Sequence, residues 1–494
     1  MPSDRPGDDG ARGSELLRVR REKLQAWRAA GVDPYGGRFE RTHRIGEILT
    51  AFDQLAGAAV AVAGRVRAIR GHGKASFVDL EDSSGKIQLF VQSERLGEAA
   101  FANFRRLDLG DIIGVRGRVF RTRRGEISVD VETFSLLAKS LRPLPEKWHG
   151  LKDVELRHRR RYLDVLVNRE VRHIFESRSR VVETLRLTLQ REGFLEVETP
   201  MLHPIAGGAA ARPFITHHRA LDMELYLRIA PELYLKRLLV GGFEKVFELG
   251  KSFRNEGVST RHNPEYTMLE AYVAYADHED MMALTERLVC AAAEATGSLE
   301  RTYQGRPLVL SPPWPRLSMV DAVREHVGVD FGAVSEPALA RELARKAGVE
   351  IGPEAGWGDA LVAVFESRVE AELHGPVFIT QHPVEISPLA KRLGRDPRVT
   401  ERFELYIGGW ELANGFSELN DPLEQRERFE RQAARRAAGD EDAHRMDEDF
   451  LEALEYGMPP AGGLGVGVDR LVMVLTDRPS IRDVILFPHL RSEG

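Results

Sequence analysis

Cysteine is almost missing from this chain of 494 residues: the one copy, Cys290, can form neither an intramolecular disulfide nor a cysteine-based metal cluster. No uninterrupted apolar stretch is long enough to cross a bilayer. The opening MPSDRPGDDGARGSE carries acids and lacks the apolar core of a signal peptide. These absences suit a reducing compartment, and a cytoplasmic protein without membrane contact is expected. Two common nucleotide-binding fingerprints are missing as well. Gly250-Lys251-Ser252 ends like a P-loop, but Lys245 stands where its first glycine belongs. Gly463-Leu464-Gly465-Val466-Gly467 is followed by Val468, not by the glycine of a dinucleotide fold.

Basic charge is also in deficit, with a net charge of -6, although local clusters matter more than the total for binding an acidic partner. Arg157, Arg159, Arg160 and Arg161 form one cluster, and Arg116, Arg118, Arg121, Arg123 and Arg124 another. Taken alone, such runs read first as solvated surface.

The length calls for two or more domains. The first dozen residues are polar and expected to lack structure. Leu16, Leu17, Leu24 and Trp27 then recur at helical spacing until Gly31. From about Ala58, alternating runs (VAVAGRVRAIR, ASFVDLEDSSGKIQLFVQ, DIIGVRGRVFRTRRGEISVDVETFSLL) predict short strands, with turns at Ser84-Gly85 and Arg124-Gly125. A barrel of about five such strands reads as an OB-fold or another small β-barrel. Pro143, Pro145 and the basic segment to Tyr162 read as a linker. Beyond it, Val171 to Arg191 reads as an amphipathic helix, and LEVETPML is kept out of helix by Pro200. Helices are also expected over Pro337 to Ala347 and Leu423 to Ala438.

Three segments carry a more specific signal: GFLEVETPML (193–202), FRNEGVSTRHNPEYTMLEAY (253–272) and GLGVGVDR (463–470). They resemble motifs 1, 2 and 3 of the class II aminoacyl-tRNA synthetases, in that order. Between them, GGAAARPF (207–214), IAPELYLKRL (229–238), ELANGFSELNDP (411–422) and IRDVILFP (481–488) resemble the bacterial-type lysyl-tRNA synthetase branch. The resemblance covers all but the first few dozen residues. It implies an α+β protein: an N-terminal OB-fold β-barrel, then a class II catalytic domain built on an antiparallel sheet flanked by helices. The implied division is 1–55, an N-terminal extension partly disordered and then helical; 56–140, an OB-fold anticodon-binding domain; 141–175, a linker or hinge; and 176–494, the catalytic domain with the dimer interface.

The residue types suit the chemistry. A guanidinium at Arg254 can hold a carboxylate and a phosphate oxygen in fixed geometry, although a structural Arg254–Glu256 ion pair is the plainer reading of that tetrapeptide. The resemblance places Arg254 on the amino-acid carboxylate and α-phosphate, Glu256 on the adenine amino group, and His262 near the β- and γ-phosphates. Asn263 joins the ATP site, Tyr266 stacks on adenine, and Arg470 holds the γ-phosphate; Arg254 and Arg470 are the catalytic pair. Glu404 and Glu411, flanking a Gly408-Gly409 turn, are the implied Mg²⁺ ligands, a hard cation that prefers oxygen donors. As bare glutamates they read as surface residues.

Lysine carries two ammonium groups and a carboxylate, so its pocket must offer acids at both ends. The resemblance assigns Gly208 and Glu232 to the α-ammonium, and Arg254 with Asn414 to the carboxylate. Glu270, Tyr272 and Glu418 surround the ε-ammonium, with Phe416 and Gly467 completing the lysine site. It implies ATP-dependent ligation of L-lysine to tRNA(Lys) through a lysyl-adenylate, releasing AMP and pyrophosphate. Phe77, Gln88 and Glu126 are the implied anticodon readers, and motif 1 implies a homodimer. An aspartyl- or asparaginyl-tRNA synthetase, a ligase that attaches lysine to a protein, and a non-catalytic synthetase-like RNA-binding protein stay as alternatives.

Overall fold

A computed structural model describes residues 8–145, 151, 153–439, 443 and 445–491. The chain divides into two compact units, residues 1–150 and 151–494.

In the first unit a helix, α1 (Asp8–Ala29), begins inside the polar stretch expected to lack structure; residues 1–7 lie outside the described residues. Five strands follow: β1 (Ala59–His72), β2 (Ala75–Glu81), β3 (Lys86–Gln92), β4 (Ile112–Arg121) and β5 (Ile127–Ala138). They close into a barrel of order β1-β2-β3-β5-β4, in which only the β3–β5 contact is parallel. This is the OB arrangement, which decides between the small barrels the strand pattern had left open. Alternation does the sorting. Val78, Leu80, Ile87, Leu89 and Val91 are buried inside, while Phe77, Asp79, Gln88 and Phe90 face outward. Trp27 of α1 joins the barrel core edge-on to Phe134, with ring centroids 6.3 Å apart.

The second unit opens earlier than the expected linker allows. Of the interval 141–175, residues 146–150 and 152 lie outside the described residues, and the remainder after 153 is mostly helical. Helices span Val154–Arg159 and Arg161–Val167, and α2 (Arg169–Arg191) follows. Arg161 is buried and donates to the carbonyls of Leu486 and Arg482, so this basic segment is a structural part of the second unit and not a free tether.

The central sheet has eight strands: β6 (Leu195–Glu196), β7 (Lys245–Phe253), β8 (Glu265–Ala274), β9 (Arg316–Ser318), β10 (Val377–Thr380), β11 (Arg402–Ile407), β12 (Trp410–Ser417) and β13 (Ala461–Gly467). Their order is β9-β10-β11-β12-β13-β8-β7-β6. All contacts are antiparallel except the two at the edges, β9–β10 and β6–β7, so the antiparallel sheet expected is mixed at its margins.

One face of the sheet packs on α2, α4 (His278–Ala295) and α5 (Val468–Leu475), while α3 (Glu232–Val240) packs Leu235 and Leu239 in a separate core with Val246 of β7 and Tyr272 of β8. Val181, Leu185 and Leu189 of α2, at helical spacing, meet Phe247, Leu269, Ala271, Leu464 and Val466 of the sheet in one core. The opposite face of the same strands is where the charged residues stand.

Candidate active site

Register places the site. On β13, Gly463, Gly465 and Gly467 share one face, because side chains alternate along a strand. Gly463 pairs with Tyr272 on one side and Phe416 on the other; Gly465 pairs with Glu270 and Asn414. The middle strand therefore presents bare backbone between two walls of functional side chains, a trough for a ligand laid across the sheet. Gly463 has the strictest requirement: a Cβ there would overlap the Glu418 carboxylate and crowd Tyr272.

Two cavities lie over this trough. One is lined by Arg254, Glu256, His262, Asn263, Tyr266, Glu411, Asn414, Gly467 and Arg470, among others. The second is lined by Gly208, Glu232, Arg254, Glu404, Glu411, Asn414 and Phe416, among others. Arg254, Glu411 and Asn414 border both. Most residues expected for ATP line the first chamber and several expected for the amino acid line the second, the two meeting at Arg254; Glu404, expected with ATP, lines only the second. Gly467 lies in the first chamber with Arg470, and Glu270, Tyr272 and Glu418 are buried behind the second without lining it.

Arg254 follows the end of β7 and is held by its own N–H donating to the Pro264 carbonyl, 2.9 Å. Its guanidinium lies 5.2 Å from the Tyr266 ring centre, and its buried Nε has no hydrogen-bond partner. Burial opposes its charge, but Tyr266, Glu256 and Glu411 outweigh that and raise its pKa. Glu256 itself is exposed and acts on Arg254 through charge at a distance, which sets aside the simple ion pair. A buried, unpartnered guanidinium donor between two chambers calls for an anionic ligand.

His262 sits in a tight loop, where its N–H donates to Ser259 Oγ at 3.0 Å; burial, then the nearby Arg470 charge, lower its pKa. Asn263 is tied at both ends of its amide. Its Nδ2 donates to the Glu265 carbonyl, and its Oδ1 accepts from the His489 N–H. It shapes the first chamber through those bonds. Tyr266 is half-buried beside Arg254, with its pKa raised by burial first.

Glu404 and Glu411 come from the β11–β12 hairpin. Gly408 and Gly409 both have positive φ, 64° and 75°, as a two-residue hairpin turn of this type needs. A bulge leaves Leu412 unpaired, since Leu405 pairs with Ala413 and Tyr406 with Glu411. That extra residue brings Glu411 to the same face as Asn414, Phe416 and Glu404. Glu404 accepts from Arg402 Nη2 at 2.6 Å and from Tyr406 OH at 2.7 Å; Glu411 accepts from Arg470 Nη1 at 3.0 Å. Burial first, then the charges of Glu404 and Glu411, raise the pKa of nearby Glu366. Among the described residues no group of three or more His, Cys, Asp or Glu is gathered for an ion. Glu404 and Glu411 both line the second chamber and Glu411 also the first, and two such carboxylates suit Mg²⁺, which keeps waters and takes oxygen donors. Trp410, just after the turn, donates to Tyr303 OH at 2.7 Å and carries Arg261 5.2 Å over its ring.

Several residues of the site escaped the sequence. Arg402 links Glu404, Asn414 and Ser387. Asp469 accepts from Arg178 of α2 at 2.5 Å and from the Thr267 N–H of β8 at 2.7 Å, which fixes the start of α5. Lys236 is fully buried against Glu232, 2.6 Å away, and Glu418. None carries a local signal. Each matters only through partners remote in sequence or hidden in a helix.

In the first unit, Phe77 stacks on Phe90 with centroids 4.9 Å apart and planes at 28°, and Phe120 adjoins at 6.0 Å. Gln88 lies on the same face two residues from Phe90 and accepts from Ser128 Oγ at 3.2 Å, while Glu126 is exposed at the β4–β5 hairpin. Phe90 is an aromatic platform member that sequence reading overlooked; its alternation with Leu89 and Val91 was the available sign.

Comparison with known families agrees with this geometry. Residues 153–491 match the family model described as tRNA synthetases class II (D, K and N), and residues 60–137 match the OB-fold nucleic acid binding domain. The chain belongs to the class II tRNA synthetases of that D, K and N group. A lysine–tRNA ligase of Carboxydothermus hydrogenoformans is 61% identical over 479 residues, covering 97% of this chain and 98% of the relative. One of Moorella thermoacetica is 60% identical with the same coverage, and one of Bacillus subtilis 54% identical over 97% of each chain. Within the group, the chain falls in the lysine–tRNA ligase family.

Proposed function

We propose that the protein ligates L-lysine to tRNA(Lys) in two steps, forming lysyl-adenylate and then transferring the lysyl group to the tRNA 3′ end. The observation that carries this is the meeting of two chambers at Arg254, Glu411 and Asn414. One chamber offers cations for a polyphosphate and an aromatic face for a base; the other is backed by carboxylates for ammonium groups.

In the first step a lysine carboxylate oxygen attacks the α-phosphorus of ATP, and the bond to the pyrophosphate oxygen breaks. No protein nucleophile is needed, because the substrate carboxylate already is one. Arg254 spans both reactants and neutralises the charge that builds between them, and Arg470 draws the leaving phosphates. Glu404 and Glu411 would hold Mg²⁺, which supplies further neutralisation of the phosphates. In the second step a terminal ribose hydroxyl displaces AMP from the lysyl carbonyl.

In this reading 56–140 is the anticodon-binding domain and 176–494 the catalytic one. Phe77, Gln88 and Glu126 read the central anticodon uridine by stacking and edge-directed hydrogen bonds. Motif 1 supplies a homodimer interface, and the protein works in the cytoplasm; among the described residues no helix is long and apolar enough to cross a membrane.

Charging assays with tRNA(Lys) transcripts test the whole scheme. Lysine should be incorporated on the transcript with the central uridine and much less on one carrying a cytidine there. Incorporation of aspartate or asparagine instead would overturn it.

A further inference from the structure

Behind the amino-acid chamber lies a buried ammonium that does not line it. Lys236 lies one helical turn after Glu232 on α3 and points into the protein, its side chain wholly without solvent exposure. Its ammonium is 2.6 Å from Glu232 Oε1, contacts Glu418 Oε2, and lies 5.4 Å from the Phe416 ring centre. Glu232 and Glu418 are the carboxylates assigned to the two ends of the lysine substrate. A protein ammonium therefore already stands between the two groups that would receive the substrate's ammoniums.

Charge is hard to leave unbalanced at this depth. Glu232 lines the chamber, Glu270 and Glu418 are buried behind it within reach of one another's charge, and Tyr272 donates to Glu270 at 3.1 Å. From β7, Glu248 is already paired with Arg228 and adds no net charge. Three carboxylates against one ammonium leave an excess of two negative charges. The α- and ε-ammonium groups of lysine supply two. Glu418 also shows where the second belongs. Its buried Oε1 accepts no hydrogen bond and lies over Gly463, the position where no side chain fits.

We propose, building on the lysine-ligating reading, that Lys236 is a positioning and specificity residue: a fixed third ammonium that aims Glu232 and Glu418 and leaves a deficit only a diammonium amino acid closes. Amino acids with one ammonium leave a buried carboxylate unmatched and are rejected for that reason. In the free protein the excess is met by protons. Burial first, with Glu232 adding to it, holds the Glu270 carboxyl up at about 8; burial likewise holds Glu418 at about 8 despite Lys236. Lysine binding replaces these protons.

The test compares the full-length wild type with Lys236→Met and Lys236→Arg in lysine-dependent ATP–pyrophosphate exchange, together with calorimetry of lysine binding to the wild type. At about pH 7, Lys236→Met should raise the KM for lysine about tenfold or more, with the KM for ATP within about twofold. Without the third ammonium the carboxylates keep their protons longer, so this gap should narrow toward about pH 8.5. Lys236→Arg should recover part of the loss. Titration of the wild type in buffers of different ionisation heat should show about one to two protons released per lysine bound at about pH 7. An unchanged KM for lysine in Lys236→Met overturns the inference, as does a loss that is pH-independent and shared equally by ATP. If Lys236→Met does not fold, the wild-type titration decides alone: binding without proton release also overturns it. A wild type that binds no lysine overturns the lysine reading as well, whereas lysine-specific wild-type exchange with indifferent variants sinks only the role of Lys236.

Discussion

At the scale of residues, function concentrates where a buried donor has no hydrogen-bond partner or where a side chain is forbidden. Arg254 is the first kind. Arg254→Ala should lower the rate of adenylate formation about 10²–10³-fold, the usual cost of losing one preorganised charge donor, with little change in Tm. Stopped-flow or exchange kinetics check it; a loss below about tenfold would demote Arg254 to a binding contact. Gly463 is the second kind. Gly463→Ala pushes on Glu418, and overpacking of this sort costs about 1–3 kcal/mol; if that cost falls on the bound state, the KM for lysine should rise about 5- to 150-fold. An unchanged KM would show that Glu418 does not hold the substrate. Arg254 was legible in the sequence because its neighbours formed a motif. Lys236 was not: in IAPELYLKRL it reads as one more helical lysine, and only its contact with Glu418, far along the chain, shows that it points inward.

At the scale of elements, strand parity explains both what was readable and what was hidden. The three glycines of β13 are two residues apart and necessarily share a face. Glu411 and Asn414 are three apart and should oppose each other, yet the bulge at Leu412 brings them together. No local residue pattern announces that bulge. Deleting Leu412 would leave Glu411 two places from Asn414 in regular pairing and so still on their shared face, and exchange activity is expected to survive with a lower Tm from the lost core contacts; loss of exchange from folded protein would show that the bulge itself shapes the site. The barrel shows the same rule in simpler form. Phe77 and Phe90 lie on its outer face by alternation, so Phe77→Ala should cost about 1–3 kcal/mol in tRNA binding, measured as a raised KM in charging assays with tRNA-free exchange as the control. Equal KM values would move RNA recognition off this face. The expected linker fared worst. Its arginines looked solvated, but Arg161 is buried against carbonyls of the last helical turn, a partnership over three hundred residues away in sequence that composition does not encode.

At the scale of the molecule, the chain spends stability on its site. Glu270 has an ordinary value of 4.5 and is held at about 8 in the folded protein, by burial first and then by Glu232. The folded state thus keeps a proton that the unfolded chain releases. That contribution is complete below about pH 4.5 and is lost as pH rises to about 8, so this carboxyl destabilises the free protein progressively over that window. Glu270→Gln removes the effect. Its Tm advantage over the wild type should grow between about pH 5 and pH 8 and then level off; a difference independent of pH would contradict the assignment. Fold class and barrel were readable from motifs in order, because each motif is continuous in sequence; of the chamber walls, Arg402 and Asp469 were not. The charge balance was not, because it sums groups drawn from α3, β8 and the residues just after β12.

The central claim is that the second chamber selects lysine for adenylation. Amino-acid-dependent ATP–pyrophosphate exchange with all twenty amino acids, in Mg²⁺ and without tRNA, tests it most directly. Strong exchange with lysine alone is the predicted result. Exchange with aspartate or asparagine, or no exchange from the folded protein with any amino acid, would contradict it.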